Sequence, residues 1–497
     1  MFDWKKGFFW SKFALLIVSV LLLTKKDESV SITDLHKFYL ENSPYKQTIR
    51  LSKQERFKEG LPPNQFYEQL YSLTMDPSTG VPDYAAKQQL QYTLEEEKNN
   101  PFKIGAVPGE SASTPWYNIG PNNQAGRTRA ALFDNADTEK DRVFAGGVSG
   151  GLWLNEDIDN PVDQDWSMIT GVPGNLAVSN IVQDPGDDNI MFVGTGESYT
   201  SGDATGNGIY KSTDRGQNWS LVFGSSTGLA TSTFSNPYYW VDGYFYVNDL
   251  AFFDHDKDPS TTNWIYAALG NSTHSKMSNA LLDYDKYGLY VSKDSGSSWT
   301  QITTGLYYQD GAQREGINDI DVQAVSNRIW LATTTGNGTR GGTFYYSDDG
   351  DNFTRASPSY TTTPTDITRT EIAPSATNTD THYVLMRANR VPEIYKTTDN
   401  FASLQKLPEP NDADNSISAT DFTRNQSFYD LEIEVDPTND DIVYVGGINW
   451  HRSQNGGQDW SQITKWSDNP SMNVLNISKV HADQHGLYFR PGNSNQA

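Results

Sequence analysis

Asp249, Asp319 and Asp430 each stand beside the first apolar residue of a strand-like run; Asn180 does so in an earlier run and Asp483 in a later one. If the runs are equivalent, this recurrence sets acids and amides around a common axis. Two such carboxylates across a cleft, roughly 6.5–9.5 Å apart, would serve as the acid and base of an inverting glycosidase. The same side chains would also make a solvated channel lining that repeats only because the fold repeats. A second group is His481, Asp483 and His485. On a strand, alternate residues share one face. Adjacent members would then share a divalent cation, the one cofactor these ligand types suggest. Imidazoles bonded to neighbouring elements are the structural alternative. A third group is aromatic: Tyr238, Tyr239, Trp240, Tyr244, Tyr246, Tyr287, Tyr307, Tyr308 and Trp450, with Asp and Asn among them. Exposed rings beside carboxylates and amides suit sugars or a protein partner. Rings that only hold long loops together would read the same way.

A repeat must position all three groups. KSTDRGQNWS at 211–220 returns as VSKDSGSSWT at 291–300 and RSQNGGQDWS at 452–461. The fixed members are Ser212, Asp214, Gly216 and Trp219, then Ser292, Asp294, Gly296 and Trp299, then Ser453, Gly457 and Trp460 with Asn455 as the acid. YSDDGDNF at 346–353 reads as a decayed copy, with Tyr346 for the hydroxyl, Asp348 for the acid, Gly350, and Phe353 for the indole. TTDNF at 397–401 loses the glycine. A catalytic residue would not be spread over five places, whereas a turn would be. The acid caps backbone N–H groups, the glycine supplies a positive φ, and the aromatic packs between sheets. Around each copy the chain reads as four short strands, and four strands in roughly 50 residues make a propeller blade.

Blades begin near Arg127, Ser179, Val247, Ile317, Asp366 and Phe428. PWYNIGP at 115–121 resembles a lone fourth strand and VHADQHGLYFRPGN at 480–493 a lone first strand. The expectation is an all-β propeller of six complete four-stranded blades plus parts of a seventh, truncated in its last blade, over 115–497. The long connections 197–207, 225–246, 271–287 and 335–342 all leave the same rim, which marks it as the binding face.

Residues 25–110 carry helix formers, with Thr33 and Asn64 as N-caps, and a Gly-, Pro- and Ser-rich linker follows. Residues 1–24 join a basic start to the apolar run 13–23, too short for a bilayer, so they read as a secretory signal peptide or an uncleaved anchor. Net charge is −24 and there is no cysteine. Nucleic acid is excluded as a partner by sign, and disulfides, thiolate metal sites and cysteine nucleophiles by composition. The expected location is secreted or cell-surface, with membrane attachment only through the N-terminal anchor.

The repeated turn resembles the Asp-box, or bacterial neuraminidase repeat, of sialidases, xyloglucan-active hydrolases and sortilin-type receptors. GPNNQAGRTRA at 120–130, AGGVSGGLW at 145–153, GTGE at 194–197 and HADQH at 481–485 resemble exported repeat proteins of Bacteroidetes, many of which continue into a Por-type sorting domain. The resemblance covers nearly the whole chain and implies a fold that hosts both enzymes and receptors. Departures are specific. The sialidase Arg-Ile-Pro stretch is absent, Val148 stands where xyloglucan hydrolases hold an aspartate, and no cysteine-rich module follows. Two readings stand: a non-catalytic propeller binding a polysaccharide or a cell-surface protein, or a glycoside hydrolase using a pair of the axial acids.

Overall fold

The computed structural model describes residues 126–493 apart from 149, 161–165, 175, 200–205, 225–245, 259–262, 271–286, 309–310, 312–313 and 336–339, together with 31–41 and a few isolated positions before 126. In the N-terminal unit a helix spans Ile32–Glu41. Ser31, not Thr33, caps it: the Ser31 hydroxyl accepts from Asp34 N at 3.1 Å and donates to the Asp34 carboxylate at 2.7 Å. Among the described residues no helix is long and apolar enough to cross a membrane. The apolar run 13–23, Asn64 and residues 115–121 lie outside the described residues.

In the second unit, six antiparallel sheets follow one another along the chain, each with its strands in sequence order. They occupy residues 128–168, 178–224, 247–301, 316–356, 367–406 and 432–462, here blades one to six. Blade five gains a short parallel strand, Ser359–Tyr360, on its outer edge. The strand types follow from their surroundings. Second strands lie between two neighbouring blades and read as continuous apolar runs, such as WIYAAL at Trp264–Leu269 and RIWLATT at Arg328–Thr334. Outer strands such as Thr354–Ala356 are short and mostly exposed. That is the usual protection of a free sheet edge.

Five apolar cores fill the five junctions between consecutive blades. One joins Phe144 and Leu152 of blade one to Val178, Met191 and Trp219 of blade two. Its counterparts hold Phe192 with Leu250, Tyr266 with Ile329, Trp330 with Val384, and Leu385 with Val443. The junction of blades six and one differs, because residues 484–490 touch both sheets. Gln484 N donates to Gly447 O at 2.8 Å, and the Phe489 ring lies 5.7 Å from that of Tyr444. On the other side Tyr488 Oη reaches Arg129 O at 3.4 Å and Arg490 pairs with Asp159 at 2.6 Å. The expected strand over 480–493 does not form. Asp483 adopts φ +72°, which breaks the alternation a strand needs.

The repeated turn closes the third and fourth strands of blades two to six. In blade three the Ser292 hydroxyl donates to Asp294 at 2.8 Å and accepts from Gly296 N at 2.7 Å, while Asp294 accepts from Ser298 N and Ser298 Oγ. Ser212 and Asp214 repeat this in blade two, and Ser453 with Asn455 in blade six. Gly216 takes φ +81°, and a Cβ there would stand 2.6 Å from the Phe144 ring of the preceding blade. Gly296 faces Phe192 in the same way. Trp219, Trp299 and Trp460 belong to three separate junction cores.

Blade four corrects the sequence register. Ser347, not Tyr346, supplies the hydroxyl, and Asp349, not Asp348, is the acid. Gly350 N donates to Ser347 Oγ at 2.9 Å. This turn is one residue shorter between acid and glycine, so alignment on the glycine shifts the acid by one. Asp348 instead faces outward, bonded to Arg328 through both oxygens. In blade five Thr397 and Asp399 keep the bonding, and Phe401 takes the glycine's place at φ +63°. Its ring fills the core beside Trp330, 4.6 Å between centroids.

Candidate functional site

The six inner strands all start at the rim from which the long connections leave, so their first residues face one another around the axis. These starts lace the ring together. Asn180 Nδ2 donates to Val247 O at 3.1 Å, Asn248 Nδ2 to Ile317 O at 3.0 Å, and Asn318 Nδ2 to Thr370 O at 2.9 Å. Asp249 accepts from Ile320 N at 2.7 Å, and Asp319 from Ile372 N at 2.6 Å. Each bond joins one blade to the next. Two of the three acids singled out from the sequence therefore tie blades together.

Further along these strands a column of carboxylates faces itself: Asp249, Asp319, Asp321, Glu371, Glu432 and Glu434. Burial and then the Glu371 carboxylate push Asp321 up to about 7 and Glu432 up to about 8. Asp249, Asp319 and Glu434 are raised well above the ordinary carboxylate range, first by burial. Asp319 also feels Asp321 and Glu371, and Glu434 feels Glu432.

At the rim end a different set closes over the axis. Arg129 comes from blade one, Glu197 and Tyr199 from the connection in blade two, Arg369 from blade five and Tyr429 from the approach to blade six. Tyr429 Oη donates to Glu197 Oε2 at 3.1 Å, and Arg129 Nε lies 3.5 Å from the same oxygen. Arg369 bonds Tyr429 O at 2.7 Å and pairs with Glu371 at 2.5 Å. Tyr199 lies between two guanidiniums, Arg369 at 4.1 Å and Arg129 at 5.3 Å from its ring centroid. Arg127, exposed, lies 5.2 Å over Tyr429. Asp430 and His485 are beside this cluster, 3.6 Å apart. Asp430 is fully buried, and burial, then Asp483, push its carboxyl up to about 8. Burial, then Arg129 and Arg127, hold the His485 imidazole down at about 2, so it is neutral.

His481, Asp483 and His485 do not converge. His481 is exposed, His485 turns inward to Tyr429 and Asp430, and the positive φ of Asp483 separates them. Among the described residues no group of three or more His, Asp or Glu could hold a metal ion. Of the aromatics, Tyr238, Tyr239, Trp240 and Tyr244 lie outside the described residues. Tyr287 is fully buried with its hydroxyl on Arg314 O, Trp450 is buried over Gly446, and Tyr246 is buried too. Tyr287, Tyr246 and Trp450 adjoin or begin strands and pack inward; Tyr307 is exposed. The Arg129–Glu197–Tyr429 cluster escaped sequence reading because its members are far apart in the chain, Glu197 and Tyr429 by 232 residues. The available signal was register: Arg369 lies two residues before Glu371 on one inner strand, and Arg129 takes the second position of the first inner strand.

The architecture is that of a six-bladed propeller with a laced, acid-lined axis. No family model matches the chain. It is 24% identical over 251 residues to a xyloglucanase of Paenibacillus sp, covering 47% of this chain and 21% of that protein. It is 26% identical over 252 residues to a xyloglucanase of Hypocrea jecorina (strain QM6a), covering 48% and 25%. The matches thus span a quarter or less of the length of these relatives. Solved structures that resemble it include the GH74 enzyme of Niastella koreensis, with TM-score 0.42, 16% identity, and 67% of this chain and 46% of that one covered. YCF48 from Cyanidioschyzon merolae gives TM-score 0.42 and 15% identity over 73% and 90%.

Proposed function

We propose that this protein is an exported propeller that binds polysaccharide through the rim of long connections without cleaving it. One observation carries the reading: two of the axial acids, Asp249 and Asp319, are bonded into the scaffold. Asp249 and Asp319 each accept a backbone N–H of the next blade, and Asp430 is fully buried. A general acid or base must reach the glycosidic oxygen or a water beside it; the bonds of Asp249 and Asp319 to the next blade and the burial of Asp430 count against that role. The polysaccharide partner is supported by the likeness of half the chain to two xyloglucanases. The same likeness favours a second reading, a glycoside hydrolase in which Asp430, protonated at neutral pH, is the acid. The five hydroxyl–acid turns are read as Asp-boxes acting as fasteners, and export rests on the basic, apolar N-terminus.

The experiment is incubation with xyloglucan and other plant and algal polysaccharides, with retention and reducing-end release measured on the same samples. Retention without release is expected. Release that disappears in Asp430→Asn or Asp249→Asn makes the protein a hydrolase and ends the binding-only reading.

A further inference from the structure

The second strand of blade two runs into GTGE at 194–197, and its two glycines are there for different reasons. A Cβ on Gly194 would stand 2.6 Å from Val247 Cγ1, so the strand lies close against the first strand of blade three. Gly196 takes φ +81°, a conformation that costs glycine little. The turn it makes delivers Glu197, Ser198 and Tyr199 to the rim end of the axis, where Glu197 and Ser198 are each 1% exposed. These three residues reach every other blade. Glu197 meets Arg129 of blade one and Tyr429 on the approach to blade six. Ser198 Oγ donates to Asn248 Oδ1 of blade three at 2.8 Å. Tyr199 Oη donates to Asn318 Oδ1 of blade four, and its ring faces Arg369 of blade five.

The Glu197 contacts differ from the rest in where they fall. Five junctions are filled by apolar cores, and among the described residues the junction of blades six and one has none. Glu197 Oε2 touches both flanks of that junction. It accepts from Tyr429 Oη at 3.1 Å on one side, and Arg129 Nε lies 3.5 Å away on the other. Arg129 also lies 5.3 Å over the Tyr429 ring. A carboxylate suits this place, because one oxygen can accept from two donors. Its charge also offsets a guanidinium whose burial alone would be costly. We propose that Glu197 is the latch of the ring: a carboxylate supplied by blade two clamps blades six and one across the one junction without an apolar core. The strap at 484–490 is a second clasp on the same junction, with the His485 ring 4.3 Å from that of Tyr429. The inference goes beyond ligand binding: a connection of blade two, far round the ring in sequence from Tyr429, decides whether the wheel stays shut.

The test is amide hydrogen exchange on the full chain without ligand, so it is decided apart from the glycan reading. Wild type, Glu197→Gln and Ser198→Ala are compared, with a thermal melt of each. Glu197→Gln keeps the shape and removes the charge. It should speed exchange at Ala130 and Val445, on the two flanks, on the order of ten- to a hundred-fold. Ile265 and Leu331, in blades three and four, should be unchanged. Ser198→Ala cuts only the bond to blade three and should leave Ala130 and Val445 as in the wild type. Unchanged exchange at the flanks in Glu197→Gln overturns the latch, and so does an equal rise in every blade. An equal rise at the flanks in Ser198→Ala also overturns it, since any contact of the segment would then serve. If Glu197→Gln does not fold, Tyr429→Phe, which removes only the hydroxyl on Glu197, is judged by the same outcomes: faster exchange confined to the flanks supports the latch, and any other pattern overturns it.

Discussion

Asp294 and Asp319 stand in neighbouring blades and both accept backbone N–H groups, yet their acidities move in opposite directions. Asp294 is at the outer turn of blade three, where bonds from Ser298 lower its pKa. Asp349, in the equivalent turn of blade four, is held at about 2 by Asn352. Asp319 accepts one N–H as well, but it is half-buried in the channel and faces Asp321, Glu371 and Asp249, and it is raised. The donor is therefore not what sets the charge. At the turn several donors converge on one carboxylate that water still reaches. At the axis one N–H is shared against several carboxylates in a crowded channel. The same residue type fastens a turn where its surroundings favour the charged form and laces a ring where they disfavour it.

The largest expected effect lies at the turn. Gly296→Val places a branched side chain at φ +83°, with its Cβ 2.6 Å from the Phe192 ring. Overpacking plus backbone strain should cost on the order of 3 kcal/mol in urea unfolding. Next, Asp349→Ala removes the acid that caps two N–H groups and should cost about 1–2 kcal/mol by the same measurement. Asp348→Ala, which breaks only an exposed pair with Arg328, should stay within about 0.5 kcal/mol. If the two aspartates exchanged their effects, the corrected register would fail.

The contrast also fixes a pH profile. Turn acids have lowered folded pKa values. Their contribution is present above the unfolded value of about 3.9 and is lost as pH falls toward 2. Axial acids are raised. Their contribution is full below about 4 and is lost as pH rises through 7 to 8. Melting temperature should therefore peak in mild acid and fall toward pH 9. The smallest effect sharpens this: Glu432→Gln should flatten the alkaline fall and leave the acid limb unchanged.

The blades were legible in the sequence because their turns repeat: the Ser-x-Asp-x-Gly-x-x-Trp spacing marks the third-to-fourth strand junction wherever it survives. It misled where one residue is missing, at Ser347–Gly350, since spacing alone cannot say on which side of the acid a deletion falls. The axial acids were legible by register, but their bonding was not. Whether Asp319 faces substrate or the N–H of Ile372 depends on a blade more than fifty residues away. Residues 480–493 carried apolar and polar residues in strand-like order, and the left-handed turn at Asp483 left no mark in composition. Tyr287 and Trp450 looked like displayed rings because strand ends and loop bases share the same local residues.

The strap at residues 484–490 gives the ring a weak link. Every other junction joins sheets adjacent in sequence and is sealed by an apolar core. Among the described residues this one has no such core, and the strap joins it through polar bonds and ring contacts, spanning 359 residues from Tyr488 to Arg129. Loop closure over that length is entropically the most demanding in the wheel. The wheel is thus a spring clip: assembly runs round the circle and latches last at this seam, and amide protons of Ala130 and Val445 should exchange before those of Ile265 and Leu331.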